Sequence, residues 1–105
     1  MGFLDALLGP DINERVAEAR RDPEAVLLDV RSRSEFELGH IEGAVNIPLE
    51  QVEKAAELYA GKHLYVYCLS GSRSGRAVAV LKAAGVEFAE NIGGVQRWRG
   101  PMERR

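Results

Sequence analysis

Apolar residues recur along this chain with two different periods. Ala25-Val26-Leu27-Leu28-Asp29-Val30 is an apolar run broken by one carboxylate, and Leu64-Tyr65-Val66-Tyr67, entered at His63, is another. Short runs rich in β-branched and aromatic residues predict strands buried on both faces, as at the centre of a parallel sheet. Elsewhere the spacing is helical. Asp11 caps a helix predicted through about Arg21, with Ile12, Val16 and Ala19 inward, Glu14 three residues after the cap and Asp22-Pro23 as its break. Arg31 to Leu38 predicts one or two turns stopped by Gly39. Leu49 to Tyr59 predicts a helix with Leu49, Val52, Ala56 and Tyr59 on one face, ended by Gly61. From Arg73 onward, Ala77, Val78, Val80, Leu81 and Ala84 recur at helical spacing up to Gly85.

Shorter signals fill the gaps. Ile41 to Pro48 predicts a turn, a brief strand and a stop. Val86 to Ile92 predicts a further strand, and Gly93-Gly94 a turn that opens a last helical piece through Trp98. Phe3, Leu4, Leu7 and Leu8 form an apolar stripe, ended by Gly9-Pro10, expected to dock on the domain. Helices alternating with short apolar strands predict an α/β fold with a mainly parallel sheet flanked by helices on both faces. Ligands of such sheets bind beyond the carboxyl ends of the strands, an edge shared here by Asp29 and Cys68.

Composition narrows the picture. A length of 105 residues predicts one domain, with an N-terminal extension over 1–10 and a basic tail over 99–105. A domain of this size can bury enough surface to fold without a disulfide or metal staple. The lone cysteine has no internal partner, which suits a reducing compartment, and Met1-Gly2-Phe3-Leu4-Asp5 lacks the basic start of a signal peptide. No stretch is long and apolar enough to span a membrane. A cytoplasmic domain, monomeric or weakly dimeric, is expected. The net charge of −2 speaks against a nucleic-acid binder. The chain's end is locally basic, with Arg97, Arg99, Arg104 and Arg105 against Glu103, which predicts a solvated tail. One cysteine and two scattered histidines make no metal-ligand cluster, and no cofactor is expected.

Chemistry concentrates at Cys68, where the second apolar run hands over to Leu69-Ser70-Gly71-Ser72-Arg73-Ser74-Gly75-Arg76 and then to a helix. In a strand-to-helix turn of this kind several backbone N–H groups can converge at the positive end of the helix dipole. A thiolate gains stability there, as does an anion beside it. Free cysteine is also among the most buried residue types, so an inert structural thiol is the competing reading. The local sequence leaves the two open.

Three separated blocks bear on that choice. The first is Leu27-Leu28-Asp29-Val30-Arg31 with Glu35-Phe36 and Gly39-His40-Ile41-Glu42-Gly43-Ala44-Val45-Asn46-Ile47-Pro48. The second is Tyr67-Cys68-Leu69-Ser70-Gly71-Ser72-Arg73-Ser74. The third is Asn91-Ile92-Gly93-Gly94 with Trp98. In this order and spacing the chain resembles the single-domain rhodaneses, sulfurtransferases that carry sulfur as a cysteine persulfide. It departs from many members in the short run after Trp98. The resemblance implies that Cys68 takes the outer sulfur of thiosulfate or a persulfide donor. It implies a bowl formed by Leu69, Ser70, Gly71, Ser72 and Arg73, and passage of the sulfur to cyanide, a thiol or a protein acceptor. Arg73 matches the family's loop arginine and is expected to orient the loop or meet an anionic donor.

Four residues separate Cys68 from Arg73. Cysteine phosphatases and similar arsenate reductases place one more there to wrap a tetrahedral oxyanion, so the shorter loop favours sulfur. Asp29 and Arg31 are expected to support the loop rather than react, with Asp29 bonding loop amides or an arginine, and Arg31 pairing with Glu35 four residues on. His40 belongs to a turn that the family uses structurally, and Trp98 reads as core. Two alternatives share these residues: a dedicated persulfide relay to a biosynthetic enzyme, and a non-catalytic rhodanese-like binding or regulatory module.

Overall fold

The computed structural model describes residues 9–104, so the expected docking of Phe3, Leu4, Leu7 and Leu8 lies outside the described residues. The elements are α1 (Ile12–Arg20), β1 (Ala25–Asp29), α2 (Arg33–Leu38), β2 (His40–Ile41) and β3 (Val45–Asn46). They continue with a 3₁₀ turn (Leu49–Gln51), α3 (Lys54–Leu58), β4 (His63–Cys68), α4 (Ser72–Ala83), β5 (Ala89–Gly94), a second 3₁₀ turn (Val95–Arg97) and β6 (Met102–Glu103). Four strands form one parallel sheet in the order β3-β1-β4-β5, and β2 pairs antiparallel with β6. No helix among the described residues is long and apolar enough to cross a membrane.

The two apolar runs become the central strands because each supplies a buried face to both layers. In β4, Leu64, Val66 and Cys68 point into a core with Val52, Ala55, Ala77 and Leu81, on the side of α3 and α4. Tyr65 and Tyr67 point the other way, into a core with Ile12, Val16, Ala19, Ile41 and Ile92, on the side of α1. Period-two alternation thus assigns Cys68 to the α4 face. Asp11 caps α1 as expected, its carboxylate accepting the Asn13 N–H at 2.9 Å.

Three expectations are corrected. Leu49 to Tyr59 is not one helix but a 3₁₀ turn followed by the short α3. Leu49, Val52 and Ala55 pack against the core at every third residue, the period of the tighter 3₁₀ winding, before the spacing widens to four at Tyr59. The last parallel strand begins at Ala89 rather than Val86, because the Val86 N–H turns back to Leu81 O and closes α4. Gly93 and Gly94 then lie within β5 instead of forming a turn. The register with β4 slips there, so that Val66 faces Asn91 while Tyr67 faces Gly93, and Gly93 takes a φ of 109°. This bulge sets Gly94 directly beside Cys68. The basic tail is largely exposed, and within it Met102 and Glu103 pair with Ile41 and His40.

Candidate active site

Cys68 ends β4 at the carboxyl edge of the sheet and is buried, with 1% of its surface exposed. The chain then turns through Leu69 and Ser70 to Gly71, which caps α4 in the left-handed conformation (φ 104°), where a side chain would be strained. That turn aims donors back at the sulfur. The Gly71 N–H donates to Sγ at 3.1 Å and the Ser74 N–H at 3.3 Å, and the Ser74 hydroxyl lies 3.4 Å away. Burial pushes the thiol's pKa up. The Ser74 hydroxyl and the N–H groups of Ser74, Gly71 and Ser70 outweigh it, and the net shift is downward. The surroundings therefore shift the balance toward the thiolate, the nucleophilic form of cysteine.

Leu69, Ser70, Gly71, Ser72 and Arg73 follow Cys68 through the turn, Gly71 donating to the sulfur and Arg73 turning away, and two residues absent from the predicted bowl hold the loop. Asn91 on β5 donates from Nδ2 to Gly71 O at 3.0 Å, and its Oδ1 lies 2.8 Å from Ser74 Oγ and accepts the Gly93 N–H at 3.0 Å. Gly94 lets the loop lie on the strand. A Cβ there would stand 2.2 Å from Leu69 O and 2.5 Å from Ser70 Cα, so no side chain fits without moving the loop. Both residues stood in the Asn-Ile-Gly-Gly block. The available signal was the adjacency of a two-way hydrogen-bonding amide and paired glycines, the composition of a close backbone approach.

Arg73 turns toward Glu35, donating to both carboxylate oxygens at 2.8 and 3.0 Å. Glu35 is fixed in turn by a capping box at the start of α2: the Ser32 N–H donates to Oε1 at 2.9 Å, and the Glu35 N–H donates to Ser32 Oγ at 3.2 Å. Arg73 holds the Glu35 carboxyl well below the usual range, at about 2. The expected Arg31–Glu35 pair is thus corrected. Arg31 instead folds back on Asp29, with Nη2 at 2.6 Å from Oδ2, and also donates to Gly39 O at 2.7 Å. A fully buried carboxylate two residues away is the stronger claim on a guanidinium, because an unpaired buried charge is far costlier than a half-exposed one. Asp29 also accepts the Arg31 N–H, and Asn46 Nδ2 donates to the carbonyls of Asp29 and Arg31. This cluster braces the edge next to the loop; Val30 N–H donates to Tyr67 O just before Cys68.

His40 is buried, stacked on Phe36 with centroids 3.6 Å apart, its Nδ1 2.7 Å from Phe36 O and its Nε2 3.4 Å from Glu103. These contacts tie the β2–β6 pair to α2. Trp98 packs on the α1-side core and donates from Nε1 to Pro101 O at 3.0 Å. Among the described residues no group of three or more His, Cys, Asp or Glu side chains is arranged to hold a metal.

The sequence that builds this strand-end cysteine and its loop is matched over residues 13–101 by a family model of the rhodanese-like domain. The chain belongs to the rhodanese-like family. The rhodanese-like domain is 43% identical over 81 residues to the uncharacterized protein YqhL of Bacillus subtilis, covering 75% of this chain and 64% of that one. It is 38% identical over 98 residues to the putative sulfur carrier protein YrkF of the same organism, covering 90% of this chain and 53% of YrkF. This rhodanese-like chain therefore spans less than two thirds of either relative. Among solved structures, the human single-domain sulfurtransferase TSTD1 superposes with a TM-score of 0.68 at 30% identity, covering 81% of this chain and 89% of TSTD1.

Proposed function

We propose that this domain is a sulfurtransferase that carries sulfur as a persulfide on Cys68. The observation that carries the reading is the set of donors converging on one buried sulfur, the N–H groups of Gly71 and Ser74 and the Ser74 hydroxyl, at the start of α4. They favour the thiolate that begins the reaction and are preorganised around it, which is the logic of an oxyanion hole. In the first step Cys68 attacks the sulfane sulfur of thiosulfate or a thiol persulfide. A bond forms from Sγ to that sulfur, the donor's S–S bond breaks, and sulfite or a thiolate leaves with the electron pair. In the second step cyanide, a thiol or a protein thiolate attacks the outer sulfur, and the electron pair returns to Sγ. Splitting the transfer this way gives ping-pong kinetics.

In this account Leu69, Ser70, Gly71, Ser72 and Arg73 bind the persulfide, while Asp29 and Arg31 support the edge. Family membership, a relative named a putative sulfur carrier and a structural neighbour named a sulfurtransferase support the reading. A reducing compartment such as the cytoplasm suits a free thiol of this kind. The test is thiocyanate formation from cyanide with thiosulfate, polysulfide and persulfide donors, beside Cys68→Ser. Turnover by the unaltered chain that vanishes in the variant is expected. No turnover with any donor would leave only a non-catalytic rhodanese-like module.

A further inference from the structure

Arg73 is the cation of the loop, and its guanidinium is already engaged. Its two-pronged grip on Glu35 takes one N–H from each terminal nitrogen and pairs the guanidinium's charge with a carboxylate. Glu35 cannot swing aside without giving up its capping box with Ser32. The other arginine at this edge, Arg31, is buried on Asp29. Arg97 and Arg99 line a neighbouring cleft together with Asp11, and Arg76 is exposed a helical turn further along α4, where water and salt screen it. Among the described residues, the loop's own rim is uncharged: Leu69 is 44% exposed, and Ser70 and Ser72 are exposed beside it. The favourable field over Cys68 comes from amide N–H groups and the start of α4, equivalent to about half a positive charge.

We infer that the donor matched to this site is a thiol persulfide rather than the thiosulfate dianion, because the loop's arginine is neutralised by Glu35 and its rim carries no charge. The inference rests on the sulfurtransferase reading and names the donor class within it. Attack of the Cys68 thiolate on thiosulfate forms the Sγ–S bond, breaks the bond to the sulfonate sulfur and expels sulfite. Three negative charges are present before and after. Attack on a protonated persulfide, R–S–SH, forms the same bond and breaks the donor's S–S bond. The proton of the outer sulfur passes to the departing thiolate, and one negative charge is present throughout. A field of amides and one helix terminus accommodates the second case and leaves the first unneutralised.

The test measures the rate of sulfur loading onto the full chain by intact mass, with thiosulfate and with cysteine persulfide, over a range of ionic strength. Loading from cysteine persulfide is expected to exceed that from thiosulfate by about tenfold or more, the weight of an uncompensated charge at close range. Glu35→Gln keeps an acceptor for the Ser32 N–H but frees the charge of Arg73. It is expected to raise the thiosulfate-to-persulfide rate ratio about fivefold, a gain that fades as salt is added. Equal or faster loading from thiosulfate in the unaltered chain would overturn the inference alone, whether or not the variant folds. An unchanged ratio in a folded Glu35→Gln would overturn it as well. Failure of both donors to load Cys68 would overturn the sulfurtransferase reading and this inference with it.

Discussion

Ser74 meets the Cys68 sulfur twice, with its backbone N–H at 3.3 Å and its hydroxyl at 3.4 Å. The hydroxyl has one proton and also lies 2.8 Å from Asn91 Oδ1, so its donation to sulfur competes with donation to the amide. Ser74→Ala removes one donor while leaving the N–H in place. The Cys68 thiol is expected to titrate at higher pH in the variant. Alkylation at neutral pH is expected to slow about two- to tenfold, the weight of one hydrogen bond. A pH profile of iodoacetamide modification measures both, and an unshifted profile would show that the backbone donors suffice.

Gly94 sets the height of the loop over β5. Gly94→Ala places a methyl group against Leu69 O and Ser70 Cα, and relief of that clash moves the donors off the sulfur. We expect a destabilisation of about 1–3 kcal/mol and loss of most sulfur loading, read by denaturant unfolding and by intact mass. The backbone of Gly94 is itself extended, at φ −121°, so the effect is steric and not conformational.

Much of this arrangement was legible in the sequence, for identifiable reasons. Both central strands announce themselves because burial on two faces leaves little choice of residue. Partner choice was not legible. The i,i+4 spacing of Arg31 and Glu35 suggested a pair, yet Asp29 is fully buried and takes Arg31, which leaves Glu35 to Arg73 across 38 residues of chain. The bulge in β5 was also hidden, since a two-glycine step reads as a turn until the neighbouring strand's register is known.

Arg31→Ala tests the buried pair. It leaves the Asp29 carboxylate without its counter-charge in a site from which water is excluded, and frees Gly39 O as well. Removing one partner of such a pair costs about 3–5 kcal/mol, which chemical denaturation resolves. A loss below about 1 kcal/mol, the level of a surface ion pair, would show that Asp29 is stabilised by its other bonds.

Acid stability reports on Glu35 and Arg73. A carboxyl whose folded pKa is depressed adds stability above its unfolded pKa of about 4.3, and that contribution is lost as pH falls through the folded value of about 2. Unfolding free energy is therefore expected to decline between about pH 5 and pH 2. Glu35→Gln should flatten this part of the curve relative to the unaltered chain. Parallel curves would place the acid sensitivity elsewhere.

The central claim is that sulfur travels on Cys68, and fragment-resolved mass spectrometry of the intact chain tests it most directly. After incubation with a sulfane-sulfur donor the chain should gain one sulfur atom, localised to Cys68, and should lose it on addition of cyanide. No adduct, or an adduct that persists in Cys68→Ser, would contradict the account.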